Sequence, residues 1–185
     1  MDFERFLLFC AFDQGLPPFL GAVDSAWAAN EAQHRLLLKK AASAAVHASV
    51  SHAPMRGGFV GLTEAHPSAL QLGFDLEDIE RVTEAAAARV ASPRDHSFSP
   101  LTPAHLWCAR EAAFKALKGD CQPLVVSQIA LTDWRTREHD ILQFTFTATG
   151  ASSGQGYLWD DGEFQYALAL WTPASHNEKG CRTPT

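Results

Sequence analysis

The sequence is short of several features that would assign it to a common class. Cysteine is sparse and scattered: Cys10, Cys108, Cys121 and Cys181 include no pair at zinc-finger or CxxC spacing. A surplus of positive charge is also missing. Fifteen Lys and Arg stand against 21 Asp and Glu, a formal net charge of −6. That argues against broad, charge-driven binding to nucleic acid or to an anionic membrane. No apolar stretch reaches membrane-spanning length without interruption by charge. The opening MDFERFLLFCAF starts acidic and has neither a basic leader nor a small-residue cleavage site, so a cytoplasmic location with reduced thiols is expected. There is no clear internal repeat. What remains is ordinary globular material, 185 residues with 46% hydrophobic and 19% charged residues. That length suits one domain or two small, closely packed halves with a core that needs no staples.

Along the chain, Arg5 to Phe12 reads as a buried first strand, punctuated by Gly15, Pro17 and Pro18. Asp24 to about His47 is Ala- and Leu-rich and reads as a helix. Val46 to Val50 leads, as an extended segment, into Ser51 and His52, followed by a turn at Pro54, Gly57 and Gly58. Phe59 to Glu64 and Gln71 to Glu77 read as strands joined through His66, Pro67 and Ser68. Asp78 to Ala91 reads as a helix ended by Ser92-Pro93. A loop from Arg94 to Pro103 precedes a helix from Pro103 to Lys118, with proline at its start and Gly119 past its end. The last third is strand-like at Leu124 to Leu131, Ile141 to Thr149, Gly156 to Asp160 and Phe164 to Thr172. Asp161-Gly162 marks a tight hairpin. The polar residues 173–185 are expected to be disordered. Grouped strands and helices without strict alternation indicate an α+β fold.

Three stretches carry candidate chemistry. In LGFDLED, strand geometry sends Leu72, Phe74 and Leu76 to one face and Gly73, Asp75 and Glu77 to the other. Asp75 and Glu77 then lie roughly 7 Å apart at the backbone. Two such acids repel unless water, a cation or a basic partner relieves them, and a hard cation such as Mg²⁺ accepts the arrangement. A surface strand end leading into a helix rich in early acids would explain the same residues. In HLWCAREAAFKALKG, apolar groups surround the helix, so it is mostly buried. Glu111, Lys115 and Lys118 fall at spacings of four and three as one polar stripe, with Arg110 beside it. The stripe is either an exposed ion pair or a cleft wall that offers a carboxylate and a phosphate-binding cation. In SVSHAPMRGGFVGL, Ser51 and His52 end an extended segment before a Gly turn. Both can contact a phosphate oxygen. A Ser-His hydrolase pair is not expected, because neighbours on a strand point to opposite faces. A locally packed turn is the alternative.

Taken together and in this order, Ser51-His52, GFDLE at 73–77 and WCAREAAFK at 107–115 resemble the 4'-phosphopantetheinyl transferase superfamily. The resemblance extends from about Val50 to Lys118. It implies a 4'-phosphopantetheinyl transferase-like fold of two pseudo-symmetric lobes, each an antiparallel sheet packed against helices. A reduced N-terminal lobe would span 1–70 and a C-terminal lobe with the metal-binding motifs 71–172. It implies an enzyme that moves the phosphopantetheine arm of coenzyme A onto a serine of an apo acyl, polyketide or peptidyl carrier protein and releases 3',5'-ADP. His52 and Ser51 would contact the 3'-phosphate. Asp75, Glu77 and Glu111 would bind Mg²⁺, Lys115 would sit beside the pyrophosphate, and Glu111 would take the serine proton. The chain departs from the family in carrying Arg110 where lysine is usual. It is also shorter than members of the surfactin-synthetase-activating type, of which it looks like a reduced, monomeric form. Arg35, Lys39, Lys40 and Arg56 are the only basic candidates for coenzyme A in its first part. That trimmed part leaves a second possibility, a catalytically weakened member that binds coenzyme A or a carrier.

Overall fold

The computed structural model describes residues 1–29, 32–66, 69–91 and 101–173, except for the side chain of Asp120. The segment 92–100, residues 67 and 68, and all of the tail but its first residue, the parts expected as loop, connection and disordered end, lie outside the described residues. The architecture is α+β, with two antiparallel sheets packed against helices. A three-stranded sheet holds β1 (Leu20–Asp24), β3 (Arg56–Leu62) and β2 (His47–Ala53) in that order. A five-stranded sheet runs β4 (Gln71–Asp78), β8 (Phe164–Trp171), β7 (Gly154–Asp160), β6 (Leu142–Thr147), β5 (Ala130–Thr136). Four helices are described: α1 (Phe3–Asp13), α2 (Ala32–Ala42), α3 (Glu84–Ala88) and α4 (Pro103–Ala116).

Several sequence expectations need correction. The expected strand at Arg5–Phe12 is helix α1. Asp2 caps it by accepting from the Arg5 N–H, and Phe3, Phe6, Leu7, Cys10 and Ala11 are buried at helical spacing while Leu8 and Phe12 stay exposed. The long helix expected from Asp24 to His47 is broken. Leu20–Asp24 is a strand, Asp24 caps a short 3₁₀ turn at Ser25–Trp27, and only Ala32–Ala42 is helical. The helix expected at Asp78–Ala91 shrinks to α3, because Asp78 accepts from the Glu80 N–H and holds a turn, and the helix cap comes later, at Thr83. The strand expected at Leu124–Leu131 starts only at Ala130. Leu124 is exposed, and Val126–Gln128 forms a 3₁₀ turn. Helix α4 also stops at Ala116, so Lys118 lies outside it. Strands β2, β4, β6, β7 and β8 fall close to where the patterns put them, and Gly162 takes positive φ in the β7–β8 hairpin.

The five-stranded sheet is covered on both faces. Leu72, Phe74 and Leu76 join Tyr157, Trp159, Tyr166 and the buried residues of α1 in one core. The alternate residues Ala167 and Ala169, with Leu158, Phe144 and Phe146, pack on the alanines of α4. Period-two alternation on β4 therefore turns Gly73, Asp75 and Glu77 towards α4. Gly73 is where the helix comes closest. A Cβ built there would lie 2.0 Å from the Ala112 carbonyl oxygen and 2.4 Å from the Ala116 nitrogen. Both are backbone atoms and cannot rotate away, so the glycine sets how near α4 and its side chains approach the strand.

The two sheets meet where β2 lies along the free edge of β4. The Phe74 N–H donates to Ser49 Oγ at 2.9 Å, and the Phe74 carbonyl accepts from Lys115 Nζ at 3.2 Å. Side chains rather than a partner strand thus satisfy the edge at that point. Gly73→Ala is expected to lower unfolding stability by about 2 kcal/mol or more, the scale of overpacking against fixed atoms. Chemical denaturation of the variant checks it, and an unchanged midpoint would mean that α4 does not rest on the strand at Gly73.

Candidate functional site

Helix α4 runs antiparallel to β4, so its first turns meet the end of the strand and its last turns meet Gly73 nearer the strand's start. Trp107 Nε1 donates to Glu77 Oε1 at 3.0 Å. Two turns on, Lys115 Nζ donates to Asp75 Oδ1 at 2.7 Å, to Ser51 Oγ at 3.1 Å and to the Phe74 carbonyl. Ser51 Oγ itself donates to Asp75 Oδ1 at 2.7 Å. Glu111 stands one turn from each, between Trp107 and Lys115. An ammonium has three donors, and Lys115 has placed all of them.

The electrostatics are crowded. The Asp75 side chain is only 3% exposed. Its second oxygen, Oδ2, is buried without a geometric hydrogen-bond partner among the described residues, and the Cys108 thiol lies against the Asp75 carboxyl group. Burial, then the charge on Asp75, pushes the Glu77 carboxyl up to about 7, although the Trp107 hydrogen bond and Lys115 oppose this. The same two causes, in the same order, raise Glu111. Three carboxylates therefore share one ammonium. Burial and the neighbouring Asp75 and Glu77 carboxylates also hold the Cys108 thiol well above its ordinary pKa.

Beside this cluster an open pocket of about 230 Å³ lies between the β2 end, with His52, Ala53 and Pro54, and the β4 end, with Glu77 and Asp78. Arg81, Val82, Ala86 and Trp107 complete it. His52 is exposed on its pocket side, and the partial loss of solvent around it, then Arg35 and Lys115, depress its pKa. Neighbours on one strand, His52 and Ser51 divide: the first faces the pocket and the second is buried with Asp75.

Of the residues singled out from the sequence, Ser51, Asp75 and Lys115 are in direct contact. Glu77 and Glu111 feel the same charges, and His52 lies on the pocket wall. Arg110 is fully buried rather than beside a cleft, and its Nε donates to the Ile129 carbonyl at 3.3 Å. Its role is to hold the segment leading into β5. Arg56 is engaged with Asp161, Tyr166 and Glu163, whereas Arg35 is close enough to shift His52. The donation from Trp107 to Glu77 and the Arg81 side of the pocket were not read from sequence. The 107/111/115 spacing carried the signal for the first.

Among the described residues, no three His, Cys, Asp or Glu side chains form a preassembled metal cage. The charge balance nevertheless suits a divalent cation. There is a buried carboxylate oxygen with no hydrogen-bond partner among the described residues, two carboxyls raised by burial and then by Asp75, and a donor set made only of oxygen. Mg²⁺ sites commonly take one or two protein carboxylates and complete their shell with water and substrate phosphates, so a closed cage is not required.

Residues 71–170, from β4 almost to the end of β8, match the family model of the 4'-phosphopantetheinyl transferase superfamily, and the chain belongs to that superfamily. The family's chemistry is phosphopantetheine transfer, with coenzyme A and carrier proteins as partners in general. The matched stretch contains Asp75, Glu77, Glu111 and Lys115 but not Ser51 or His52. No curated protein matches the chain. Among the described residues, no helix is long and apolar enough to cross a membrane.

The raised Glu77 pKa has a testable sign. The folded state keeps a proton that the unfolded chain releases near its ordinary value of 4.5, so metal-free protein should lose stability as pH rises from about 4.5 through about 7. Glu77→Gln removes the titrating group and should flatten that part of the profile. Urea unfolding of both proteins in chelator checks it, and parallel profiles would show that Glu77 carries no such strain.

Proposed function

We propose that the protein transfers the 4'-phosphopantetheine group of coenzyme A to a serine of an apo acyl or peptidyl carrier protein, with Mg²⁺, and releases 3',5'-ADP. The observation that carries this reading is the charge cluster of Asp75, Glu77, Glu111 and Lys115 beside a pocket walled by His52. Phosphoryl transfer asks a protein for alignment and charge neutralisation more than for covalent help, and this cluster supplies charge of both signs.

His52, which lines the pocket and feels Arg35, would contact the 3'-phosphate of coenzyme A. Ser51 acts from behind through Asp75 and Lys115. Asp75, Glu77 and Glu111 would hold Mg²⁺, which would neutralise the pyrophosphate and the leaving oxygen. To meet a pyrophosphate oxygen, Lys115 must release one acceptor, and the neutral Phe74 carbonyl and Ser51 hydroxyl hold it less strongly than Asp75 does. The carrier serine attacks the phosphorus next to the pantetheine arm, the bond from that phosphorus to the pyrophosphate bridge breaks, and the serine proton passes to Glu111. The protein would work in the cytoplasm as a reduced, monomeric relative of the surfactin-synthetase-activating type.

A second reading rests on the full engagement of Lys115: a catalytically weakened member that binds coenzyme A or a carrier. Turnover separates the two. With apo-carriers, coenzyme A and Mg²⁺, intact-mass spectrometry should show one phosphopantetheine added per carrier, lost on chelation. Coenzyme A binding without any transfer would favour the second reading.

Glu111→Gln should fold and melt at or above the wild-type temperature in chelator, because one repelling charge has gone. Its turnover in saturating Mg²⁺ should fall by about two orders of magnitude or more, the scale of a lost general base. A folded variant with near-normal turnover would return Glu111 to the role of an ion-pair partner for Lys115.

A further inference from the structure

Arg56 starts β3 at the tip of the β2–β3 hairpin, in register with Ala53. The residues just before it, His52, Ala53 and Pro54, form one wall of the pocket. The Arg56 side chain does not enter the pocket wall. It crosses to the β7–β8 hairpin of the other sheet. Nη1 donates to Asp161 Oδ2 and to the Tyr166 hydroxyl, which donates to the same Asp161 oxygen at 2.7 Å. Nη2 lies 3.6 Å from Glu163 Oε2. The guanidinium carbon sits 4.1 Å over the centre of the Phe164 ring.

The far anchor is itself fixed. Asp161 Oδ1 accepts the N–H groups of Phe164 at 2.9 Å and Glu163 at 3.1 Å, so the carboxylate belongs to the turn. The strand that follows pairs Phe164 with Asp78, Gln165 with Glu77 and Tyr166 with Leu76. Arg56 therefore ties the hairpin bearing His52 to the strand that holds Glu77 and Asp78, the opposite wall of the pocket. Arg56 and Asp161 are about a quarter exposed, whereas Glu163 is 77% exposed and contributes little. A planar fork that is stacked on a ring and bonded at one edge constrains direction as well as distance, which a lysine would not.

We propose that Arg56 is a positioning residue that sets the gap between the two pocket walls and thereby the affinity for coenzyme A. This rests on the coenzyme A reading of the pocket. Neither Arg56 nor Asp161 takes part in the transfer step, so the effect falls on binding.

The test compares wild type, Arg56→Gln and Arg56→Lys. Calorimetric titration with coenzyme A should show about a tenfold or greater loss of affinity in Arg56→Gln, with partial recovery in Arg56→Lys. At saturating coenzyme A, kcat should stay within about twofold of wild type, so that the loss appears in KM. Hydrogen exchange of residues 47–56 should be faster in Arg56→Gln, with α4 and β6 unchanged. A folded Arg56→Gln with wild-type coenzyme A affinity and wild-type exchange at 47–56 overturns the proposal. So does a loss confined to kcat. If Arg56→Gln does not fold, Tyr166→Phe and Asp161→Asn each remove one anchor and are judged by the same criteria. If wild type neither binds coenzyme A nor transfers, the functional reading falls, and exchange at 47–56 decides the clamp alone: faster exchange supports it and unchanged exchange overturns it.

Discussion

The Lys115 ammonium is the contact on which both the fold and the candidate site depend. It neutralises Asp75, a carboxylate that is almost wholly buried, and it closes the seam between the sheets through Ser51 and the Phe74 carbonyl. A carboxylate removed from water without a partner would cost several kcal/mol, so this strand face is tenable only while a cation sits against it. Everything that brings Lys115 there is also required. The helix must lie close, which Gly73 permits, and its other faces must be apolar, which the alanines provide. Ser51 must point inward, which the alternation of β2 ensures.

One lysine cannot balance three carboxylates. The remainder appears as the unpartnered Asp75 Oδ2 and as the raised carboxyls of Glu77 and Glu111. A purely structural cluster would gain by losing one of those acids. A cluster that meets a divalent cation and a pyrophosphate would not, because the excess charge is then the binding energy. The site therefore holds charge in excess of what its own fold needs. That imbalance is what the cation of the proposed function would relieve.

The parts of this structure that could be read from sequence are those where pattern and punctuation agree. β4 alternates cleanly and presents Asp75 and Glu77 together. α4 begins at Pro103 after a Thr102 cap, and β7 and β8 flank Asp161-Gly162. The FLLFCAF stretch of α1 is apolar at every position, so neither a period of two nor one of 3.6 stands out in it. The surface it covers, formed by Phe74, Trp159 and Tyr166, decides the matter. β1 leaves little signal because Leu20 to Val23 are only partly buried, Asp24 is exposed, and no alternation runs through them. The charge cluster was half legible. That Asp75 and Glu77 share a face follows from strand geometry, and that Glu111 and Lys115 share a stripe follows from helix geometry. That the two faces meet is a tertiary fact. The burial of Arg110 and the engagement of Arg56 are likewise long-range, and local spacing holds no trace of them.

The dependence of the seam on one ion pair is open to direct measurement by a double-mutant cycle on Lys115→Met and Asp75→Asn in urea unfolding without divalent metal. Each single change strands one partner, and the double change removes both, so the double variant should be more stable than the sum of the single losses implies. The expected coupling is at least about 1 kcal/mol, within the range found for contacting charged pairs. Additive losses, with no coupling outside error, would contradict the central claim that the Lys115–Asp75 pair holds the two sheets and the candidate site together.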